Sequence, residues 1–167
     1  GAWAVLLSRY SGHTDVVFGI TVAGRPPQMS GVESMVGLFI NTVPLRSHLP
    51  NDTILLPWLQ QLQKDLRDRE TYGYSALTDL QTWSDVPRGS PLFESLLVFE
   101  NYPVSIETAT QGMAGLSLQD GQGYERTNYP LTLVVIPGDT IQLSLRYNSG
   151  YISEAAAQRL LGHLEVI

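Results

Sequence analysis

The sequence contains no cysteine, which removes disulfides, thiolate nucleophiles and cysteine-ligated zinc together. Histidine is scarce. His13, His48 and His163 stand apart, no two are spaced as metal ligands, and no Asp/Glu cluster joins them. There is no G-x-S-x-G elbow for a serine nucleophile, and no P-loop or G-x-G-x-x-G turn to cradle nucleotide phosphates. No apolar run reaches the roughly 18 residues of a membrane helix, and none is built like a secretory leader. Charged residues are only 16% of the chain, and the formal net charge is −6. The 10 Lys and Arg are scattered; the one dense stretch, Lys64 to Arg69, is interleaved with Asp65, Asp68 and Glu70, the pattern of a solvated helix face. A nucleic-acid surface needs a basic stripe, and none is present. These absences fit a cytoplasmic protein with neither a membrane nor a nucleic-acid partner.

What is there is apolar. Of 167 residues, 43% are hydrophobic, enough for one compact domain with a core. Trp3, Leu6, Leu7 and Tyr10 recur at helical spacing. No capping residue precedes them, so this helix reads as cut from a longer chain, with Gly1 a residue added in cloning. Residues 15–24, "DVVFGITVAG", are apolar on both faces, Val16, Phe18, Ile20 and Val22 on one and Val17 and Ala23 on the other. That is a central strand covered on both sides. A Pro/Gly/Ser loop of about ten residues follows, of a length that often carries function. "MVGLFINTVPLRSHL" then reads as a second buried strand, placed at an edge or distorted at Pro44.

Leu55, Leu59, Leu62 and Leu66 predict the core stripe of an amphipathic helix with Pro57 in its first turn. "SALTDLQTW" reads as a short helix with Leu77 and Leu80 inward, and "PLFESLLVFENY" as a third strand. Residues 103–128 are polar and Gly-rich, a long excursion from the core. Leu131, Leu133 and Val135 oppose Ile141, Leu143, Leu145 and Tyr147 across "PGD", a hairpin with Gln142, Ser144 and Arg146 outward. Ser153 caps a closing helix whose first-turn Glu154 suits the helix dipole. The order α, β, β, α, α, β, loop, β, β, α predicts an α/β fold, a two-layer sandwich with a mixed sheet.

On residues alone, this is an α/β domain without a self-sufficient active site. His13 and Asp15 read either as a base with its orienter or as a plain loop pair, and His163 as a helix-surface residue. Asn41 is the anomaly, an amide inside an apolar run that needs hydrogen-bond partners if buried. It either ties the loop at 24–36 to its neighbouring strand or lines a channel. Arg46 reads as an internal salt-bridge or capping partner.

Residues 22–46, "VAGRPPQMSGVESMVGLFINTVPLR", resemble the C-terminal half of a nonribosomal peptide synthetase condensation domain. The family pattern is roughly S-G-R-P, a loop, then V-G-x-F-x-N-T-x-x-x-R. Gly24, Arg25, Pro26, Val36, Gly37, Phe39, Asn41, Thr42 and Arg46 fill it, with Ala23 in place of the serine. "YSALTDLQTWSD", "SPLFESLLVFENYPV" and the closing hairpin and helix extend the resemblance over essentially the whole chain.

The resemblance implies one of two chloramphenicol-acetyltransferase-like halves of an enzyme that joins a carrier-bound donor thioester to an acceptor amine. Residues 1–167 are then the C-terminal subdomain, because the family's catalytic H-H-x-x-x-D-G is absent and no His-His pair occurs anywhere. No catalytic residue and no metal ligand is assigned, and the chain alone is expected to be inactive. By resemblance, Gly24 to Val36 floors the substrate tunnel, with Asn41 and Thr42 pinning that loop near the wall. Asn101 faces the catalytic histidine across the tunnel, and Tyr129 and Ser144 line it on weaker grounds. Gly24, Arg25, Pro26, Gly37, Phe39 and Arg46 are the structural motif, and residues 103–128 match a crossover segment reaching the other half. "GLFINTVPLR" resembles ordinary condensation rather than epimerisation relatives. No cofactor binds directly; substrates ride on carrier phosphopantetheine. Implied partners are the N-terminal condensation subdomain, the upstream and downstream peptidyl carrier proteins and the adjacent adenylation domain, in antibiotic or other secondary-metabolite biosynthesis. The docking surface for the other half predicts some self-association. Rival readings are a non-catalytic module that docks carrier proteins, and a stand-alone acyltransferase, for which no histidine is placed.

Overall fold

The structure, a computed structural model, describes residues 1–25, 29–100 and 127–167. Its elements follow the expected order: α1 (Ala2–Ser11), β1 (Asp15–Ala23), a 3-10 turn (Val32–Ser34), β2 (Ile40–His48), α2 (Leu55–Glu70), α3 (Leu77–Trp83), β3 (Ser95–Phe99), β4 (Leu131–Ile136), β5 (Gln142–Tyr147) and α4 (Glu154–Val166). The expected excursion falls mostly outside the described residues, as do Pro26 and Asn101.

The five strands form one mixed sheet in the order β2-β1-β3-β4-β5. β1, β3 and β4 run parallel, and β2 and β5 flank them antiparallel. Among the described strands β2 is therefore an edge, where Pro44, opposite Gly19 in the register, is tolerated. The hairpin pairs Leu131 with Tyr147, Leu133 with Leu145 and Val135 with Leu143 as its alternation predicts, but Ile141, expected in the same set, precedes β5 and is exposed. Ser153 caps α4 by accepting a hydrogen bond from the Ala156 N–H at 3.3 Å. α1 ends on Gly12, whose left-handed φ of 72° lets its N–H close onto the Ser8 carbonyl at 2.9 Å.

One face of the sheet carries the core. Val16, Phe18 and Ile20 of β1, Val43 and Leu45 of β2, and Leu131 and Leu133 of β4 meet Trp3 and Leu6 of α1, Leu62 of α2, and Leu160 and Leu164 of α4. The second face of β1 is covered only at its centre. A Cβ on Gly19 would meet Phe93 Cε2 at 2.3 Å, so the Phe93 ring lies directly on the glycine. Val17 and Thr21 are half-buried and Ala23 is exposed. The expectation of full cover on both faces thus holds at Gly19 and fails at the strand's end.

Two further expectations are corrected. β2 begins at Ile40, not Met35, and Met35, Val36 and Leu38 are exposed rather than buried. In α2 the stripe buries Leu62 at 5% exposure and half-buries Leu66, whereas Leu55 stands 62% exposed and Leu59, more than a third exposed, lies against Gly1. Trp58, outside the expected stripe, joins Leu62 and Leu66 against the core. Leu77 and Leu80 of α3 are half-buried, and no residue of that helix is fully buried.

Candidate functional site

The C-terminal ends of the parallel strands converge on one end of the sheet, the place where α/β sheets bind ligands. Apolar side chains collect there without cover among the described residues. Phe99 ends β3 at 57% exposure and Ile40 begins β2 at 53%. Ile136 and Ile141 flank the β4–β5 turn, and Val36 and Leu38 extend from the limb leading into β2. A bend at Gly37 precedes β2; from there Leu38 and Ile40 alternate with Phe39 and Asn41, so the two pairs point to opposite sides of the chain.

Phe39 and Asn41 are both engaged. Asn41 Nδ2 donates to the carbonyls of Gly73 and Ser75, each at 2.8 Å, and its Oδ1 accepts from the Thr42 N–H at 2.9 Å. Asn41 therefore ties down the α2–α3 connection, not the loop at 24–36. The pleat explains the difference. Asn41 shares the helix-side face of β2 with Val43, Leu45 and Ser47, and the chain leaving α2 crosses that face. The 24–36 loop is held otherwise. Gly24 N–H donates to the Phe39 carbonyl at 2.7 Å, and Arg25 donates from Nη1 to the Val32 carbonyl while its guanidinium lies 4.1 Å from the Phe39 ring centroid. A Cβ on Gly24 would come within 2.5 Å of the Phe39 carbonyl oxygen, so this turn requires glycine.

The remaining expected tunnel residues do not converge. Thr42 lies on the opposite face of β2 from Asn41, and Ser144 is exposed on β5 opposite Val134. Among the described strands β2 and β5 are the two edges of the sheet, four strand spacings or about 19 Å apart. Tyr129 precedes β4, at the other end of the sheet from Phe99. It stacks on Phe93 with ring centroids 5.1 Å apart, and burial pushes its phenol above the ordinary value, so it stays neutral at pH 7. Gly19 goes unrecognised in the sequence, and Phe93 enters only within the stretch that resembles the family's third strand; a lone glycine inside an apolar strand is the available sign of a close approach.

Asp15 is taken by Arg46, not by His13. Arg46 Nε donates to its two oxygens at 2.9 and 3.1 Å and Nη2 to Oδ2 at 2.5 Å, which holds the Asp15 carboxyl below the usual range. Arg46 is thus the salt-bridge partner expected from the sequence. His13 sits in the turn after α1, its carbonyl taken by Ser8 Oγ at 2.6 Å. His163 Nδ1 lies 2.9 Å from the Tyr10 hydroxyl, linking α4 to α1. A groove of about 650 Å³ opens at this end, between His13, Asp15, Phe93, Glu94 and Tyr151. It contains no paired nucleophile and base. Among the described residues no group of three or more His, Asp or Glu could hold a metal ion, and no helix is long and apolar enough to cross a membrane.

A family model described as the condensation domain matches residues 1–167. The chain is 46% identical over 164 residues to one of the linear gramicidin synthase proteins of Brevibacillus parabrevis, covering 98% of this chain and 3% of that protein. It is 38% identical over 163 residues to surfactin synthase subunit 3 of Bacillus subtilis, covering 97% of this chain and 12% of that protein. It therefore spans a small part of the curated relatives it matches. A crystal structure described as holo T3CT superposes with a TM-score of 0.83 at 24% identity, over 99% of this chain and 38% of that one. The starter condensation domain of rhizomide synthetase gives 0.64 at 18% identity, over 99% and 39%; both likenesses concern the fold. With the family match running from the first residue to the last, the chain belongs to the condensation-domain family.

Proposed function

We propose that residues 1–167 are the C-terminal half of a peptide-bond-forming condensation domain of a nonribosomal peptide synthetase. The observation that carries this reading is a pairing of presence and absence. Among the described residues an apolar rim stands without cover at the strand ends of a condensation-family fold, while the sequence has no His-His pair. In the reaction, the acceptor amine nitrogen attacks the donor thioester carbonyl, the C–S bond breaks, and the amine proton passes by way of a base to the departing thiolate. A side chain placed on that amine must take the proton. His13 and His163 lie in the α1 turn and on α4, and His48 ends β2 beside Asp15, all away from the rim. The N-terminal half supplies H-H-x-x-x-D-G, and this half supplies walls and positioning, a large part of catalysis between two substrates.

Both substrates arrive on the phosphopantetheine of upstream and downstream carrier proteins, and an adenylation domain neighbours the pair. The rim of Val36, Leu38, Ile40 and Phe99 meets the N-terminal half, and the 24–36 loop floors the tunnel between them. Asn101 lies outside the described residues. Sedimentation of separately expressed halves tests the reading. A one-to-one complex that Leu38→Asp weakens at least tenfold is expected. Halves that stay apart at high micromolar concentration, with Leu38→Asp unchanged, overturn it.

A further inference from the structure

The segment joining β1 to β2 returns to its starting point. Gly24, one residue beyond β1, donates its N–H to the carbonyl of Phe39, one residue before β2. Inside that closure, Arg25 folds back over the loop it begins. Its guanidinium carbon lies over the Phe39 ring, 4.1 Å from the centroid, while Nη1 donates to the Val32 carbonyl. Val32 is only 2% exposed at the start of the 3-10 turn, whereas Met29, Met35, Val36 and Leu38 around it are exposed. Arg25 thus grips a buried point of the loop and the returning limb with one group. Phe39 lies two residues before Asn41, on the same side of the chain, and Asn41 takes the carbonyls of Gly73 and Ser75. Two connections are therefore stapled to adjacent inward positions, and the side chains between and before them, Ile40 and Leu38, are turned outward onto the rim.

We propose that Arg25 is a positioning residue. By clasping Val32 and Phe39 it sets the height of residues 29–38 at the strand ends, and so the fraction of molecules whose tunnel floor accepts substrate, without touching substrate itself. The inference rests on the reading of this chain as half of a condensation domain; the clasp itself does not. The chemistry requires arginine. A planar guanidinium can present its face to a ring and an in-plane N–H to a carbonyl at once, whereas a lysine ammonium, a compact charge, cannot do both.

A floor that is competent only part of the time weakens apparent substrate affinity by the competent fraction and leaves saturated turnover unchanged. A merely destabilised protein does the reverse, losing active enzyme and hence apparent kcat while KM stays put. The test uses the whole condensation domain that carries this chain, as wild type and as Arg25→Lys, Arg25→Met, Phe39→Leu and Phe39→Tyr. Hydrogen exchange is followed over 29–38, and condensation kinetics are measured with an aminoacyl thioester of N-acetylcysteamine as the varied acceptor.

The expected result is exchange over 29–38 about tenfold faster in both Arg25 variants and in Phe39→Leu, the effect of losing one such contact. Exchange over 15–23 and 131–136 stays unchanged, KM rises about two- to tenfold, kcat is retained, and Phe39→Tyr behaves as wild type. Unchanged exchange over 29–38 in Arg25→Lys and Phe39→Leu overturns the clasp, even if Arg25→Met fails to fold. Faster exchange with an unmoved KM, or with kcat lost instead, overturns the positioning role. A wild-type domain that forms no product overturns the functional reading and with it the effect on KM, and the exchange arm still decides the clasp.

Discussion

Asn41 offers the sharpest test of how this half is built. Its amide makes three hydrogen bonds of 2.8, 2.8 and 2.9 Å, two of them to carbonyls more than 30 residues away in sequence. Each such bond contributes about 0.5–1.5 kcal/mol net, and an acceptor left buried without its donor costs about 1–3 kcal/mol. Gly73, whose carbonyl loses its donor, is buried. Asn41→Ala is therefore expected to lower stability by about 2–4 kcal/mol. Asn41→Asp keeps the shape and the Thr42 contact but turns a carboxylate oxygen onto two carbonyl oxygens. Its folded-state pKa must rise above the free value of about 3.9. The penalty of the charged form is present well above that raised pKa and shrinks as pH falls through it, because a protonated carboxyl again has one hydrogen to donate. Urea unfolding followed by tryptophan fluorescence at pH 7 and pH 5 reads both variants. Asn41→Asp should be at least as destabilised as Asn41→Ala at pH 7 and recover part of the loss at pH 5. An Asn41→Ala change smaller than about 0.5 kcal/mol, or an Asn41→Asp indistinguishable from wild type at pH 7, would refute the staple.

Other perturbations follow from the same packing. Gly19→Ala drives a methyl to 2.3 Å from Phe93 Cε2, an overpacking expected to cost about 1–3 kcal/mol and to lower Tm by a few degrees; an unchanged Tm contradicts the ring's placement. Leu62→Ala should lose about 2–5 kcal/mol, whereas Leu55→Ser, at an exposed position of the same helix, should change stability by less than about 0.5 kcal/mol. Equal losses in chemical denaturation would mean that α2 is seated differently. Arg46 holds the Asp15 carboxyl low through its hydrogen bonds. The stability this contributes is therefore present above the unfolded carboxylate value and lost as pH falls through the depressed folded one. In Arg46→Gln the Asp15 titration, followed by NMR, should move up towards the free value, and an unmoved titration refutes the pairing.

Period and punctuation make much of the architecture legible. The facing sets of the β4–β5 hairpin follow from alternation and α4 from Ser153 and Glu154, while Pro44 leaves β2 either at an edge or distorted, and the sheet order places it at an edge of the described strands. The failures have a common physical origin. Val36, Leu38 and Leu55 are apolar and read as core, but hydrophobicity says only that a side chain favours cover, not which segment provides it. Residues of an uncovered rim and of a core look alike in sequence. Asn41 is recognisable as an amide in need of partners, and pleat parity assigns its face, but the partners lie on a connection 32 and 34 residues on. The Arg25–Phe39 pair is visible only as two motif positions, since local spacing does not announce a loop that closes on itself. Family resemblance, rather than periodicity, supplies the functional reading. Of the residues it nominates, Thr42 and Ser144 stand at opposite sheet edges and Asn41 serves the scaffold.

The central claim is that this chain is the positioning half of a two-half enzyme. It is tested most directly by loading donor and acceptor carrier proteins and reading product by intact-protein mass spectrometry, with this chain alone and with an N-terminal half bearing H-H-x-x-x-D-G. The account predicts condensed product only when both halves are present. Product from this chain alone would contradict it and return attention to His13 and His163, and carrier binding without product from either mixture would leave a docking module in its place.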